Sequence, residues 1–179
     1  MTDSNEPTHQ RVLLLGGRGA VGAVVGRELE GNGHTVTVTS RTSGRARIDL
    51  RGDLDALRDL SAEHDVVVNA SGIERPELGA ATGTTPLVDI SASGAYLDAL
   101  RAAAVGPVVL GAGLAPGLST ILTAALDSRP GDDLDVLVML GAGEKHGPAA
   151  VAWTVDLVVP MFITRPKPGR CATSTRADA

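Results

Sequence analysis

The chain has 179 residues, which leaves room for one domain of about 150 residues and a short remainder. Hydrophobic residues make up 43% of the chain and charged residues 21%, which is typical of a globular protein and not of a disordered one. A net charge of -5 and single Phe, Tyr and Trp residues argue against a nucleic-acid partner, because such sites need excess positive charge and aromatic rings for stacking.

The compartment and the relation to membranes follow from two further features. The single cysteine, Cys171, cannot form an internal disulfide, and the polar first ten residues lack the pattern of a signal peptide, so we expect a cytoplasmic protein. Residues 102–126 carry no charge over a length that could cross a bilayer. Six glycines and prolines interrupt them, so we interpret this stretch as buried core and expect no membrane partner.

The first third of the chain predicts a strand, a helix and a second strand. Residues 11–16 (RVLLLG) form a short apolar run, and residues 20–30 place valines and a leucine at helical spacing. The Gly-Asn-Gly of residues 31–33 ends the helix, and the β-branched residues 34–39 form the second strand. This is a βαβ unit.

The alternation of strands and helices continues along the chain. Asp53 is the expected cap of a helix that includes Leu54, Leu57 and Leu60. Such alternation predicts an α/β fold with a doubly wound, mostly parallel sheet and helices on both faces. Further strands are expected at residues 46–49, 65–69, 86–90, 107–111 and 133–140, and further helices at 94–104 and from 117 to about 127.

A glycine-rich turn joins the first strand to the first helix and has the pattern G-x-G-x-x-G, with one more glycine before it. Gly17 is expected to permit the tight turn, Gly19 to let a pyrophosphate approach the backbone, and Gly22 to let the helix pack closely on the strand. In this context the motif indicates a dinucleotide-binding Rossmann sheet, although a glycine turn can also serve packing alone. The predicted cofactor contacts of the turn are Gly17, Arg18, Gly19, Ala20, Val21 and Gly22.

The residues that end the second strand bear on the choice of cofactor. Sites for NAD place Asp or Glu there to bind ribose hydroxyls, whereas NADP sites use Arg and hydroxyl side chains for the 2′-phosphate. This chain has Ser40, Arg41 and Thr42, with Arg18 and Arg45 expected nearby and no carboxylate among residues 31–48. NADP is therefore favoured over NAD, the alternative being that Arg41 is only a solvated cation.

Three more residues are candidate contacts. Asp49 could accept a hydrogen bond from the adenine amino group or serve equally well as a turn or cap residue. Ala70 and Ser71 follow the strand at residues 65–69, where a cofactor would cross the carboxyl ends of the strands.

Other chemistries do not fit the spacing of the residues. Tyr96 would need a lysine four residues later to form the pair of short-chain dehydrogenases, and that position is Leu100. The chain has no G-x-S-x-G motif and no P-loop lysine, and its four histidines lack metal-ligand spacing, so we expect no metal site. No catalytic acid or base can be assigned from the sequence.

Several stretches together resemble the NADP-binding domain of the saccharopine dehydrogenase family. The run Gly-Leu-x-Pro-Gly-Leu-Ser at residues 113–119 is the most specific of them, and the resemblance extends over about residues 11–156. The other matching stretches are residues 12–22, 65–72, 87–91, 111–126, 145–147 and 152–154.

This resemblance implies an NADP-dependent oxidoreductase that transfers hydride between nicotinamide and a small carbonyl or imine substrate. It also implies an NADP-binding domain at residues 11–127 and the start of an incomplete α+β substrate and dimerisation domain at 128–163, followed by a flexible tail at 164–179. Family members continue well beyond this point, so a truncated or frameshifted product or a fragment is one expectation. A homodimer through the C-terminal region is another. The alternative is a non-catalytic NAD(P)-binding protein, or a remnant that binds cofactor without turnover.

Overall fold

The computed structural model describes residues 9–41, 46–127, 129 and 132–137. The chain divides into two compact units, Met1–Ala112 and Gly113–Ala179. The first unit contains five strands and four helices within the described residues: β1 (Arg11–Leu15), α1 (Ala20–Gly31), β2 (Thr35–Val38), α2 (Asp55–Ala62), β3 (Val66–Asn69), α3 (Glu77–Ala81), β4 (Leu87–Asp89), α4 (Gly94–Ala103) and β5 (Val108–Val109).

The five strands form one parallel sheet in the order β2-β1-β3-β4-β5. The first strand, β1, lies second from one edge; the chain moves outward to β2 at that edge and then returns to β3 on the other side of β1. The predicted strand at residues 46–49 is reduced to one bridge, Ser40 to Arg47, beyond the end of β2. With this bridge as an edge position, the order is that of a Rossmann-like α/β fold, which confirms the predicted fold class.

Helices cover the sheet on both faces, because apolar side chains of β1 point alternately to one face and to the other. Leu13 and Leu15 point into a core that includes Leu57 of α2, Leu78 of α3 and Leu100 of α4. Val12 and Leu14 point the other way, where Val25 and Leu29 of α1 pack against them. Successive side chains of a strand face opposite sides of the sheet, so β1 has a buried residue on each face.

The structure differs from the sequence prediction at two helix starts. Helix α3 was not predicted, because five residues after Pro76 are too few to show a helical period. The N-cap of α2 is Leu54, one residue after the predicted Asp53, whose carboxylate accepts the N–H of Asp55, the first residue of α2, at 2.8 Å.

The second unit contains helix α5 (Leu118–Ala124) within its described residues. The prediction of buried core at residues 102–126 is wrong for this helix, where no residue is buried and Ile121 is 68% exposed. The described residues of this unit include no sheet that could cover it. None of the described helices is long and apolar enough to cross a membrane.

Few of the residues for which C-terminal elements were predicted are described by the structure. The predicted strand at residues 133–140 is wrong where it can be compared, because residues 132–137 form neither helix nor strand and no described strand pairs with them. Residues 138–140, and most of the regions expected at 128–163 and 164–179, lie outside the described residues.

Candidate functional site

The glycine turn is shaped by close backbone contacts. Gly16 has φ +78°, and a Cβ there would lie 2.6 Å from the carbonyl oxygen of Ala70. A Cβ on Gly22 would collide with the Gly16 carbonyl group and lie 2.8 Å from the Cα of Gly17. The close packing predicted for Gly22 is therefore present. The left-handed residue of the turn is Gly16 and not Gly17, which instead lies against the side chain of Val38.

Helix α1 presents its amino-terminal N–H groups beside this turn. Gly19 is the N-cap: its N–H donates to the Gly16 carbonyl and its own carbonyl accepts from Ala23, both at 2.9 Å. The N–H groups of residues 20–22 have no intrahelical acceptor, and the helix start carries a partial positive charge. A Cβ on Gly19 would meet only the Gly16 carbonyl oxygen, at 3.3 Å, so the backbone there is otherwise accessible.

A cleft of about 580 Å³ lies at the carboxyl ends of β1, β2 and β3. The sequence-predicted contacts that line it are Arg18, Gly19, Ser40, Arg41, Asp49, Ala70 and Ser71. Gly17 is buried in the turn before α1 and Gly22 in the first turn of α1, where Ala20 and Val21 are exposed. None of these four residues lines the cleft. Thr42 and Arg45 lie outside the described residues.

Sequence reasoning missed about half of the lining. Ile48 and Leu50 are 3% and 7% exposed, so their apolar character indicates core, and nothing in the pattern marks them as cleft residues. Gly16 could have been found from the double glycine, since either residue can take a positive φ. The full set of unpredicted lining residues is Gly16, Thr39, Ile48, Leu50, Arg51 and Ile73.

The cleft has the opposite charge balance to the chain. Three arginines line it, Arg18, Arg41 and Arg51, and all three residues are exposed. Asp49 is the single carboxylate of the lining, whereas the whole chain carries a net charge of -5. The cleft therefore attracts anions, and the free N–H groups at the start of α1 add to this attraction.

Asp49 stabilises the loop that forms one wall of the cleft. Its Oδ1 accepts the N–H of Arg51 at 3.1 Å, and its carbonyl accepts the N–H of Gly52 at 3.0 Å. The turn role suggested for Asp49 is thus present, and the same residue lines the cleft. Arg75 holds the loop from behind, because its Nη1 donates to the carbonyl oxygens of Leu50 and Gly52, each at 2.9 Å.

The described residues bring few acid-base groups to the cleft. None of the lining residues is His, Lys, Glu, Tyr or Cys. Tyr96 is 6% exposed and its hydroxyl donates to Asp89; burial first, and then the nearby Asp89 carboxylate, raises the pKa of that phenol well above its ordinary value. Within the part of the chain that the structure describes, no three His, Cys, Asp or Glu side chains are placed to hold a metal ion.

No protein-family model matches the chain, and no curated protein does. Among solved structures, the chain is similar to a protein of Streptococcus pneumoniae TIGR4 classed as an NADH-flavin reductase, with 19% identity, 46% of this chain and 47% of that chain covered, and a TM-score of 0.33. A chorismate mutase/shikimate 5-dehydrogenase fusion protein from Clostridium acetobutylicum has 16% identity, coverage of 66% and 49%, and a TM-score of 0.38.

The human epimerase family protein SDR39U1, solved with NADPH, has 22% identity, coverage of 84% of this chain and 60% of that chain, and a TM-score of 0.35. The chain thus spans about half to three fifths of the length of these proteins. The assignment of a Rossmann-like α/β fold is based on the strand order and glycine turn of this chain.

Proposed function

We propose that the cleft binds NADP(H) and that the chain is an NADP-dependent oxidoreductase. The observation that carries the proposal is the position of a cationic cleft at the point between β1 and β3 where the strand order reverses. Doubly wound sheets bind ligands in the crevice outside the carboxyl ends of the strands at this point. Here the same crevice is lined by Gly16 and by Gly19, the N-cap of α1, together with three arginines.

The chemistry of the residues present supports contacts to the pyrophosphate, the 2′-phosphate and the adenine of such a ligand. The N–H groups of residues 20–22 would hold the pyrophosphate, and the space that Gly16 and Gly22 leave by lacking a Cβ allows the turn to stay tight. Arg41, with Ser40 beside it, would bind the 2′-phosphate, for which the planar guanidinium group is well suited. Asp49 would accept the adenine amino group through the oxygen that Arg51 does not use.

The reaction we infer is hydride transfer between nicotinamide and a small carbonyl or imine substrate. Its support is the resemblance of the sequence to the saccharopine dehydrogenase family. Bound NADPH supplies the hydride, while the protein supplies orientation and electrostatics. The substrate region and a homodimer contact are proposed for residues 128–163, where a run of apolar residues continues to Ile163. Light scattering of the full chain should then show a dimer, and a monodisperse monomer would contradict this part.

A second candidate function is binding of NAD(P) without turnover. It is favoured by the lack of an acid-base pair among the described lining residues, where Asp49 is the single carboxylate and its Oδ1 already accepts the N–H of Arg51. The two candidates differ in one measurement. Loss of reduced-nicotinamide absorbance in the presence of carbonyl or imine compounds supports the oxidoreductase, whereas saturable binding with no turnover across those compounds supports the second.

The binding proposal is tested by titrating the full chain with NADPH and with NADH while nicotinamide fluorescence is followed. We expect NADPH to bind more tightly than NADH. Arg41→Ala should weaken NADPH binding roughly tenfold to a hundredfold, which is the effect of losing a hydrogen bond to a charged group. NADH binding should change little. Arg101→Ala is the matched control, because Arg101 is exposed on α4 and does not line the cleft. Equal losses for both cofactors would mean that Arg41 does not bind the 2′-phosphate.

A further inference from the structure

A buried carboxylate lies at the carboxyl end of β4, behind the cleft. Asp89 is fully buried, and its Oδ2 accepts the Nδ2 of Asn69 at 2.7 Å and the hydroxyl of Tyr96 at 2.8 Å. Its Oδ1 accepts the N–H of Ser91 at 2.7 Å. Among the described residues no cationic side chain forms an ion pair with it. Burial of an acidic group without a cation is costly, and an apolar side chain would stabilise a core position more easily.

Asp89 fixes the orientation of the Asn69 amide. A carboxylate only accepts hydrogen bonds, so the NH₂ group of Asn69 must face it and the amide oxygen must face away. That oxygen accepts the hydroxyl of Ser71 at 2.6 Å and the N–H of Ser71 at 3.2 Å. The Nδ2 also donates to the carbonyl of Ile73 at 3.3 Å. The hydrogen bonds therefore continue from the buried carboxylate to the segment of residues 71–73.

That segment forms part of the wall of the cleft, to which Ser71 and Ile73 both contribute. The Ser71 hydroxyl also accepts the N–H of Ile73 at 3.1 Å, so both its donor and one acceptor position are used within the segment. The backbone of residues 70 and 71 lies against Gly16, where a Cβ would be 2.6 Å from the Ala70 carbonyl oxygen. A shift of this segment therefore changes the cleft beside the glycine turn.

We propose that Asp89 and Asn69 are positioning residues for the dinucleotide, acting through the segment of residues 71–73. This inference rests on the proposed function. In a doubly wound sheet the adenosine end lies toward β2 and the pyrophosphate at the helix start, so the remainder of the ligand extends past β3. The network should thus affect a complete dinucleotide more than a fragment that contains only its adenosine end.

The test compares two ligands, NADPH and adenosine 2′,5′-bisphosphate, by calorimetric titration of the full chain. Asp89→Asn keeps the size of the side chain, but one amide oxygen cannot accept from all three donors. We expect NADPH to bind about three- to tenfold more weakly, which is the effect of losing one hydrogen bond. The affinity for the fragment should change by less than about twofold. A residue that only stabilised the fold would not separate the two ligands.

Thr82→Val is the matched control. Thr82 is 4% exposed, and its hydroxyl donates to the Gly79 carbonyl at 3.2 Å, away from the cleft lining. The substitution removes a buried hydrogen bond at nearly constant volume and should leave both affinities at the wild-type value. If Asp89→Asn does not fold, Tyr96→Phe is the second variant, because it removes one donor to the same carboxylate. It should weaken NADPH binding about twofold and leave the affinity for the fragment unchanged.

The outcomes separate this inference from the proposed function. Unchanged affinity for NADPH in the folded variant, or an equal loss for both ligands, would overturn the positioning role. Failure of the wild-type chain to bind either ligand would instead overturn the proposed function.

Discussion

Substitution of Gly16 by alanine tests the glycine turn by adding one methyl group. Alanine at a left-handed φ costs about 1–2 kcal/mol. The new Cβ would also lie 2.6 Å from the Ala70 carbonyl oxygen and 2.7 Å from the carbonyl carbon of the same residue, so backbone must move. Such overpacking costs typically about 1–3 kcal/mol, and we expect a total loss of about 2–5 kcal/mol in the free energy of unfolding.

Gly33→Ala separates the two contributions. Gly33 has φ +84°, but a Cβ there meets nothing within 4 Å, so this variant should lose only the conformational contribution of about 1–2 kcal/mol. The assay is urea unfolding followed by circular dichroism, with wild type and both variants under the same conditions. If Gly16→Ala and Gly33→Ala lose the same free energy, the segment after β3 does not press against the turn and the description of the site is wrong.

Two further predictions concern residues outside the turn. Arg75→Met removes both hydrogen bonds to the loop of residues 50–52 and should weaken NADPH binding about three- to tenfold by calorimetry, whereas the exposed Arg58→Met should not; equal affinities would contradict the anchoring role. The hydrogen bond and charge of Arg11 lower the pKa of Asp65 to about 2, so the ionised Asp65 stabilises the fold above its ordinary pKa of 3.8 and this contribution is lost as the pH falls through about 2. The urea midpoint of Asp65→Asn should therefore lie below that of wild type near pH 6, and the difference should shrink from about pH 4 to pH 2; a difference independent of pH would contradict the assignment.

The parallel sheet could be predicted because each buried strand is a short apolar run between turn residues. Strand β1 has buried side chains on both faces, so four consecutive apolar residues indicate it directly. Helix α5 was predicted from the sequence, but its exposure was not: the lack of charge in residues 118–124 indicates burial, and burial depends on a covering layer that composition does not encode.

The lining of the candidate site could be predicted where a short stretch of sequence carries the pattern by itself, as in the glycine turn and at Arg41. It was not predictable where distant segments meet. The contact of Gly16 with residues 70 and 71 depends on the pairing of β1 with β3, and the Asp89–Asn69 hydrogen bond joins the ends of two strands that are 20 residues apart. No motif marks either contact, and each contact can be recognised only when the strand register is known.

Amide hydrogen exchange at the start of α1 tests the central claim most directly. The N–H groups of residues 20–22 have no intrahelical acceptor, so they should exchange quickly in the free protein. If NADP(H) binds in the cleft, saturating NADPH slows exchange at these amides and at residues 71–73, while the amides of α4 (Gly94–Ala103) keep their free rates. Unchanged exchange at residues 20–22 in saturating NADPH, or slowing confined to other parts of the chain, would contradict the account.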